Sequence, residues 1–268
     1  MRHTLAPRKQ LGQHFLADDN IARKIAAAIA PHADDVMVEI GAGEGALTRQ
    51  LAAHVKRFIA IELDDRAADV LTTTFGDTIT LVRGDALNVS LADIAATAGA
   101  HLRVVGNIPY NITSPLLFHL FEDAAVVRDA TLMIQREVAD RLVAQPRSKE
   151  YGILSVMTQF HAVPRKLFTV APGSFFPPPA VVSAVISLTF RQPQRDDVDL
   201  ELFRRIVRGT FAKRRKILSN GLRDVVHSDE ALASIGAQCD LMRRPEELSV
   251  EQFVALTNAA AAAGVHVA

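Results

Sequence analysis

The sequence predicts an α/β protein: a parallel sheet layered with helices, followed by a smaller all-helical domain. Three observations predict it. Apolar runs of strand length alternate with amphipathic helical stretches through the first two thirds of the chain, the order that builds parallel sheets. A glycine turn, Gly41-Ala42-Gly43-Glu44-Gly45, joins the first such run to a helix. From Asp199 to about Ala263 only the helical period persists, with breaks near Ser228, Gly236 and Pro245. The polar segment 192–198 reads as a linker, which divides the chain into an α/β domain over 1–191 and a helical domain over 192–268.

Taken in order, residues 8–16 form a basic arm ending in the apolar pair Phe15-Leu16. Asp18, Asp19 or Asn20 is placed to cap a helix from Ile21 to Ile29, with Ile21, Ile25 and Ile29 on one face. Val36–Ile40 is a buried strand, and Ala46–Val55 a helix with Leu47, Leu51 and Val55 aligned. Phe58–Ile61 is the second strand, ending at Glu62, and Asp64 and Asp65 suit the cap of a helix over Arg66–Thr74. Ile79–Arg83 is the third, ending at Gly84-Asp85-Ala86 before a helix at Leu91–Ala96. Leu102–Val105 is the fourth, an apolar run carrying one polar residue, Arg103, and leading to Asn107-Ile108-Pro109-Tyr110. A helix at Ser114–Phe121, a strand at Thr131–Gln135 and helices at Glu137–Val143 and Tyr151–Phe160 follow, the last two separated by a polar loop. Val163–Val170 and Val181–Phe190 alternate well enough for an antiparallel pair closing the sheet edge. The stiff loop Phe175-Phe176-Pro177-Pro178-Pro179 lies between them.

Composition narrows the function. The chain of 268 residues carries 30 basic and 30 acidic residues, so it is not built to coat nucleic acid indiscriminately. Its one cysteine, Cys239, excludes an internal disulfide and a cysteine zinc cage, and its place in a polar C-terminal stretch argues against a cysteine nucleophile of the kind used for pyrimidine C5 chemistry; no metal is expected. No apolar run reaches membrane-spanning length and Met1–Leu16 has no secretory apolar core, so a soluble cytoplasmic protein is expected. A monomer is also expected, since no long apolar stripe is left unassigned. Basic residues cluster twice. Arg2, Arg8 and Lys9 precede any acid, and Arg204, Arg205, Arg208, Lys213, Arg214, Arg215, Lys216 and Arg223 follow one another with no acid between them. These are candidate phosphate-binding surfaces, though solvated faces would read the same way.

Four successive strands end in Gly41, Glu62, Asp85 and Asn107, which places all four residues on one rim of a parallel sheet, where such folds bind ligands. The glycine spacing is G-x-G-x-G rather than the G-x-G-x-x-G of dinucleotide sites, favouring a compact ligand without a pyrophosphate, such as S-adenosylmethionine. Gly41 and Gly43 let the backbone approach it, and Glu62, about 20 residues on, is placed to grip a ribose diol. Asp85 suits either the cofactor's adenine amine or a simple loop cap. Asn107, Pro109 and Tyr110 offer an amide oxygen, a stiffened turn and an aromatic face, the tools for holding an extruded adenine by its N6 amine. Phe175 is a candidate second stacking face opposite Tyr110. Each of these residues also suits an ordinary turn or core edge; their alignment on one rim carries the functional reading.

The motifs Gln13-His14-Phe15-Leu16, Glu39-Ile40-Gly41-Ala42-Gly43-Glu44-Gly45, Asn107-Ile108-Pro109-Tyr110-Asn111, Gln135-Arg136-Glu137-Val138, Phe175 with Pro177-Pro178-Pro179, and Arg214-Arg215-Lys216 occur in this order. The chain thereby resembles the ribosomal RNA adenine N6-dimethyltransferases, specifically the bacterial small-subunit enzymes linked to kasugamycin resistance, from Arg8 to about Phe253. The resemblance implies a doubly wound, Rossmann-like methyltransferase domain and a helical domain that binds RNA. It implies S-adenosylmethionine contacts at His14, Leu16, Gly41, Glu62, Asp85 and Asn107. The implied substrate is a pair of adjacent adenosines in the 3′-terminal hairpin of 16S rRNA, each methylated twice within an immature small subunit. Ala42 stands where the family often has proline, Ala180 where it has lysine and Ser219 where it has arginine, which puts RNA contacts at the last two positions in doubt.

Three other readings share parts of the pattern. A ribosome-assembly factor would use the basic block without needing catalysis, and a related large-subunit methyltransferase would share the core motifs. A nicotinamide dehydrogenase shares the glycine turn and Glu62 but leaves the Asn107–Tyr110 tetrad unexplained.

Overall fold

The computed structural model describes residues 5–192 and 194–266; Arg2 and the side chain of Lys9 lie outside the described residues. The chain forms two compact units, residues 1–139 with 162–192, and residues 140–161 with 193–268. The last of the three breaks, at 192/193, lies within the segment 192–198. The excursion 140–161 into the helical unit has no counterpart in the linear division expected at 191/192, because a boundary drawn along the sequence cannot show a chain that leaves a unit and returns.

The first unit opens with β1 (Phe15–Leu16) and α1 (Asp19–Ile29), which Asp18 caps by accepting from the Asn20 and Ile21 N–H groups. β2 (Val36–Ile40) is buried at every position, as a central parallel strand covered on both faces requires. The helix expected over 46–55 is only α2 (Thr48–Leu51) followed by a 3-10 turn at Ala52–His54. No side chain caps its start, and the chain tightens to i→i+3 bonding straight after. β3 (Arg57–Glu62), α3 (Asp65–Phe75), β4 (Thr80–Arg83), α4 (Leu91–Ala98) and β5 (Leu102–Asn107) follow, with Asp64 capping α3 and Ser90 capping α4. Then come α5 (Thr113–Glu122) and β6 (Val127–Gln135). α6 (Arg136–Leu142) and α7 (Ile153–His161) precede β7 (Ala162–Val170), β8 (Phe175–Phe176) and β9 (Ser183–Phe190).

The main sheet has seven strands in the order β4-β3-β2-β5-β6-β9-β7. The first five run parallel, and β9 inserts antiparallel between β6 and β7. The polar residue of β5 has a role at the opposite end of the sheet from the glycine turn. Arg103, 8% exposed, bonds Asp35 at 2.7 Å and Asp129 at 3.0 Å, and donates to the Ile29 and Ala30 carbonyls at the end of α1. One guanidinium thus joins three segments and satisfies a helix terminus.

The second unit contains α7 with α8 (Leu200–Ala212), α9 (Leu218–Leu222), α10 (Asp229–Gly236) and α11 (Val250–Ala262). Phe203 and Phe253 are fully buried in it, and buried Tyr151 donates its hydroxyl to the Leu248 carbonyl at 2.8 Å. Ser249 and Gln252 form a capping box at the start of α11.

Candidate active site

The parallel strands β2 to β5 end on one rim, and the turn after each supplies part of a cavity. After β2, Gly41 and Gly43 adopt φ of +67° and +57°. A Cβ at Gly43 would lie 3.2 Å from the Phe15 ring, so bare backbone forms this wall. At the end of β3, Glu62 is 6% exposed and its carboxylate is clamped: Oε2 accepts from the Gly43 N–H at 2.7 Å and Oε1 from the Asp64 N–H at 2.8 Å. Burial raises its carboxyl above the usual range, and the backbone donors oppose that rise. After β4, Asp85 accepts from the Leu87 N–H at 3.0 Å, capping a short turn while also lining the cavity.

The cavity is an open cleft with a volume of about 130 Å³. His14, Gly41, Gly43, Glu62, Asp85 and Asn107 all line it, together with Pro109 and Tyr110. Leu16 does not. It is 5% exposed, packs in the core and borders only a smaller adjoining recess. Behind the glycine turn lies Glu39, 2% exposed, whose Oε2 accepts from the Thr48 hydroxyl at 2.5 Å. Burial, with a contribution from the Glu62 charge, pushes its carboxyl up to about 8.

At the end of β5, the Asn107 side chain has a defined sense. Its Nδ2 donates to the His14 backbone carbonyl at 2.8 Å, which leaves Oδ1 as the acceptor. The Ile108 N–H donates to the Met133 carbonyl at 3.0 Å, tying the tetrad to β6. The Tyr110 hydroxyl bonds the Ser183 hydroxyl at 2.7 Å, and burial raises its pKa, so it is a neutral phenol. The His14 ring stacks on Tyr110 with centroids 5.6 Å apart, and His14 Nδ1 donates to the Pro177 carbonyl at 2.7 Å.

Phe175 does not fulfil its expected role. It is 3% exposed, pairs with Leu16 through β8 and β1, and sits in the apolar core, while the adjacent Phe176 is 46% exposed. Strand alternation explains the difference, because adjacent residues of a strand point to opposite faces. Ser183 and the Pro177 carbonyl, both buttresses of the tetrad's neighbourhood, were not singled out from sequence. A hydroxyl starting a strand and a backbone oxygen carry no distinctive signal. Among the described residues no cluster of three or more His, Cys, Asp or Glu is arranged to hold a metal, and no helix is long and apolar enough to cross a membrane.

The basic candidates divide. Arg8 is drawn to Asp64 at 3.4 Å. In the helical unit Arg204 faces Glu201 at 3.7 Å, Lys213 pairs with Asp224 at 2.7 Å and Arg223 with Asp229 at 3.2 Å. Arg214 pairs with Glu246 at 2.7 Å and also donates to the Ser148 and Lys149 carbonyls, which makes it a tie within the unit. Arg208, Arg215 and Lys216 are exposed, and Arg205 is half-buried. The acids that neutralise part of this block flank it in the chain: Glu201 just before it, Asp224 and Asp229 just after it, and Glu246 further on.

The rim residues fit S-adenosylmethionine: a bare-backbone glycine wall, a carboxylate clamped in orientation for a diol, and apolar Ile61 and Leu63 beside it. With an amide acceptor and an aromatic ring at the adjoining strand end, fold and site define an S-adenosylmethionine-dependent methyltransferase. Residues 5–262 match the ribosomal RNA adenine dimethylase family. The chain belongs to that family. It is 46% identical over 260 residues to "Ribosomal RNA small subunit methyltransferase A" of Bordetella avium, covering 96% of this chain and 97% of that protein. It is 44% identical to the protein of the same name from Acidithiobacillus ferrooxidans, over 94% of both chains. Among solved structures, a dimethyladenosine transferase from Plasmodium falciparum shares the fold with a TM-score of 0.83 at 24% identity, over 94% of this chain and 99% of that one. The 23S rRNA methyltransferase ErmE gives a TM-score of 0.67 at 26% identity, over 92% and 99%.

Proposed function

We propose that the protein transfers methyl groups to the N6 amines of two adjacent adenosines in the 3′-terminal hairpin of 16S rRNA, giving N6,N6-dimethyladenosines. It does so as a cytoplasmic monomer acting on immature small subunits. The observation that carries the chemistry is the sense of the Asn107 amide, whose Nδ2 is held by the His14 carbonyl so that Oδ1 is the acceptor. The names of its relatives support the small subunit as substrate.

When bound, S-adenosylmethionine supplies a methyl group activated by its sulfonium. Asn107 Oδ1 accepts one N6 proton. The Pro109 carbonyl already accepts from the Ile112 N–H at 3.1 Å and the Thr113 hydroxyl at 3.4 Å, so the Ile108 carbonyl is the second acceptor. Two acceptors draw the nitrogen lone pair out of ring conjugation and aim it at the methyl, so positioning and fixed dipoles supply most of the acceleration. The methylated nitrogen carries the positive charge and sheds its proton to water, so no side chain is required as a base. Tyr110 stacks the base, and Glu62 and the glycine wall hold the donor.

The test is methyl transfer from labelled S-adenosylmethionine to small subunits from cells lacking this enzyme, followed by mapping of the modified bases. Two adjacent dimethyladenosines near the 3′ end are expected. Label elsewhere, or none with binding retained, would overturn the reading.

A further inference from the structure

The N-terminal arm supplies one side of the cavity, and it is fastened by side chains to which no role in methyl transfer has been assigned. Asp64 is 1% exposed and fully engaged: Oδ1 accepts from the Arg66 N–H and Nε, and Oδ2 from Arg66 Nη2 at 2.6 Å and from Gln13 Nε2 at 3.0 Å. The sense of the Gln13 amide is fixed independently, because the Arg8 N–H donates to its Oε1 at 2.8 Å and a backbone N–H can only donate. Gln13 therefore presents its NH2 group to Asp64. The next residue, His14, holds Asn107 by its carbonyl and Tyr110 by its ring. Gly12, at φ +62°, presses so close that a Cβ would lie 2.7 Å from Asn111 Oδ1. On the other side, the Asp64 N–H is one of the two donors that clamp Glu62.

We propose that Gln13 and Asp64 are positioning residues for methyl transfer, forming a latch that holds the arm so that His14 sets the amide of Asn107 and the ring of Tyr110. The inference rests on the reading of the site given under Proposed function. Asp64 serves both walls: its backbone orients the carboxylate on the donor side, and its side chain fastens the arm that orients the amide on the acceptor side. Arg66 and Arg8 neutralise its charge, so the buried carboxylate remains an acceptor for Gln13. Neither Gln13 nor Asp64 touches the adenine in this arrangement. They act through His14 and Asn107.

The test uses the full chain with Gln13→Leu, and Asp64→Asn as a second variant. Gln13→Leu is expected to lower kcat about tenfold while leaving KM for the small subunit within about twofold and Tm within about 2 °C. Asp64→Asn should lower kcat similarly and also lower Tm, because it leaves Arg66 without its carboxylate partner. Removing the latch is also expected to speed amide hydrogen exchange of residues 12–16 about tenfold or more in the protein without ligand. In a background of Asn107→Ser, Gln13→Leu should cost less than about twofold further in kcat, because its effect runs through that amide. Unchanged exchange in the arm, kcat within about twofold of the parent protein, or an equal loss in both backgrounds would overturn the latch. Absence of adenine methylation by the parent protein would instead sink the functional reading, and the exchange measurement would still decide whether the latch exists.

Discussion

The Thr48 hydroxyl donates to the Glu39 carboxyl at 2.5 Å, directly behind the glycine turn, and Glu39 is 2% exposed. Burial first, then the charge of Glu62, push this carboxyl up to about 8, while the Thr48 hydrogen bond opposes the rise. A carboxyl with a raised folded pKa binds its proton more tightly in the folded than in the unfolded state. Its contribution is fully present below the unfolded value of 4.5 and is lost as pH rises through about 8. Glu39→Gln should therefore flatten the fall in Tm between about pH 5 and pH 8.5, measured by thermal unfolding across that range. An identical slope in the variant would mean that Glu39 is already ionised.

Asp64 gives the opposite sign. Arg66 holds its carboxyl down to about 2, with Gln13 adding to the effect. That stability is present above the unfolded value of 3.8 and is lost as pH falls through about 2. Acid titration of the parent protein and of Asp64→Asn, followed by circular dichroism, should diverge below about pH 4, with the variant less sensitive.

Arg103 ties β5 to Asp35, Asp129 and the end of α1. Arg103→Leu leaves two carboxylates and two carbonyls without their common partner. A loss of about 3–5 kcal/mol in chemical denaturation is expected, the range for breaking one side of a buried ion pair. Arg103→Lys should recover only a part, because an ammonium cannot reproduce the fork.

Tyr110 separates stacking from anchoring. Tyr110→Phe loses the bond to Ser183 but keeps the ring, so kcat/KM should fall no more than about fivefold, near the worth of one neutral hydrogen bond. Tyr110→Ala removes the proposed stacking face and should cost about 10- to 100-fold, in line with base–aromatic stacking. Equal losses would show that the hydroxyl, not the ring, matters.

Within the helical unit, Arg215 and Arg214 should behave differently despite being neighbours. Arg215→Ala should weaken subunit binding and reduce the salt dependence of affinity by about one counterion. Arg214→Ala breaks ties to Glu246, Ser148 and Lys149, so thermal stability should fall while the salt slope changes little. Salt titrations of binding beside thermal melts distinguish the two.

The strands of the first unit were legible because a buried parallel strand is a short apolar run ending in turn chemistry, and β2 matches its expected bounds residue for residue. That Gly41, Glu62, Asp85 and Asn107 share one rim was legible for the same reason, since they lie at or just past strand ends and line the same cavity. Side-chain direction was less accessible. Phe175 and Phe176 are adjacent and chemically identical, and only the pairing of β8 with β1 decides which one enters the core. β1 and β8 are too short to show a period of their own. The bonds of Gln13 to Asp64 and of Tyr110 to Ser183 join residues far apart in the chain, and no local pattern announces such pairs. In the basic block, which side chains pair with the flanking acids Glu201, Asp224 and Asp229 is likewise settled only by side-chain direction.

The insertion of β9 between β6 and β7 has a consequence for synthesis on the ribosome. The strands β2 to β5 that end on the cavity rim have all emerged once residue 107 is out, and they can associate early. The arm cannot finish docking then. β1 pairs with β8, at residues 175–176, His14 bonds the carbonyl of Pro177, and Tyr110 waits for Ser183. A segment made before the sheet is thus among the last to settle. A nascent chain stalled before residue 175 would carry the rim formed by β2 to β5 with the arm beside it still undocked.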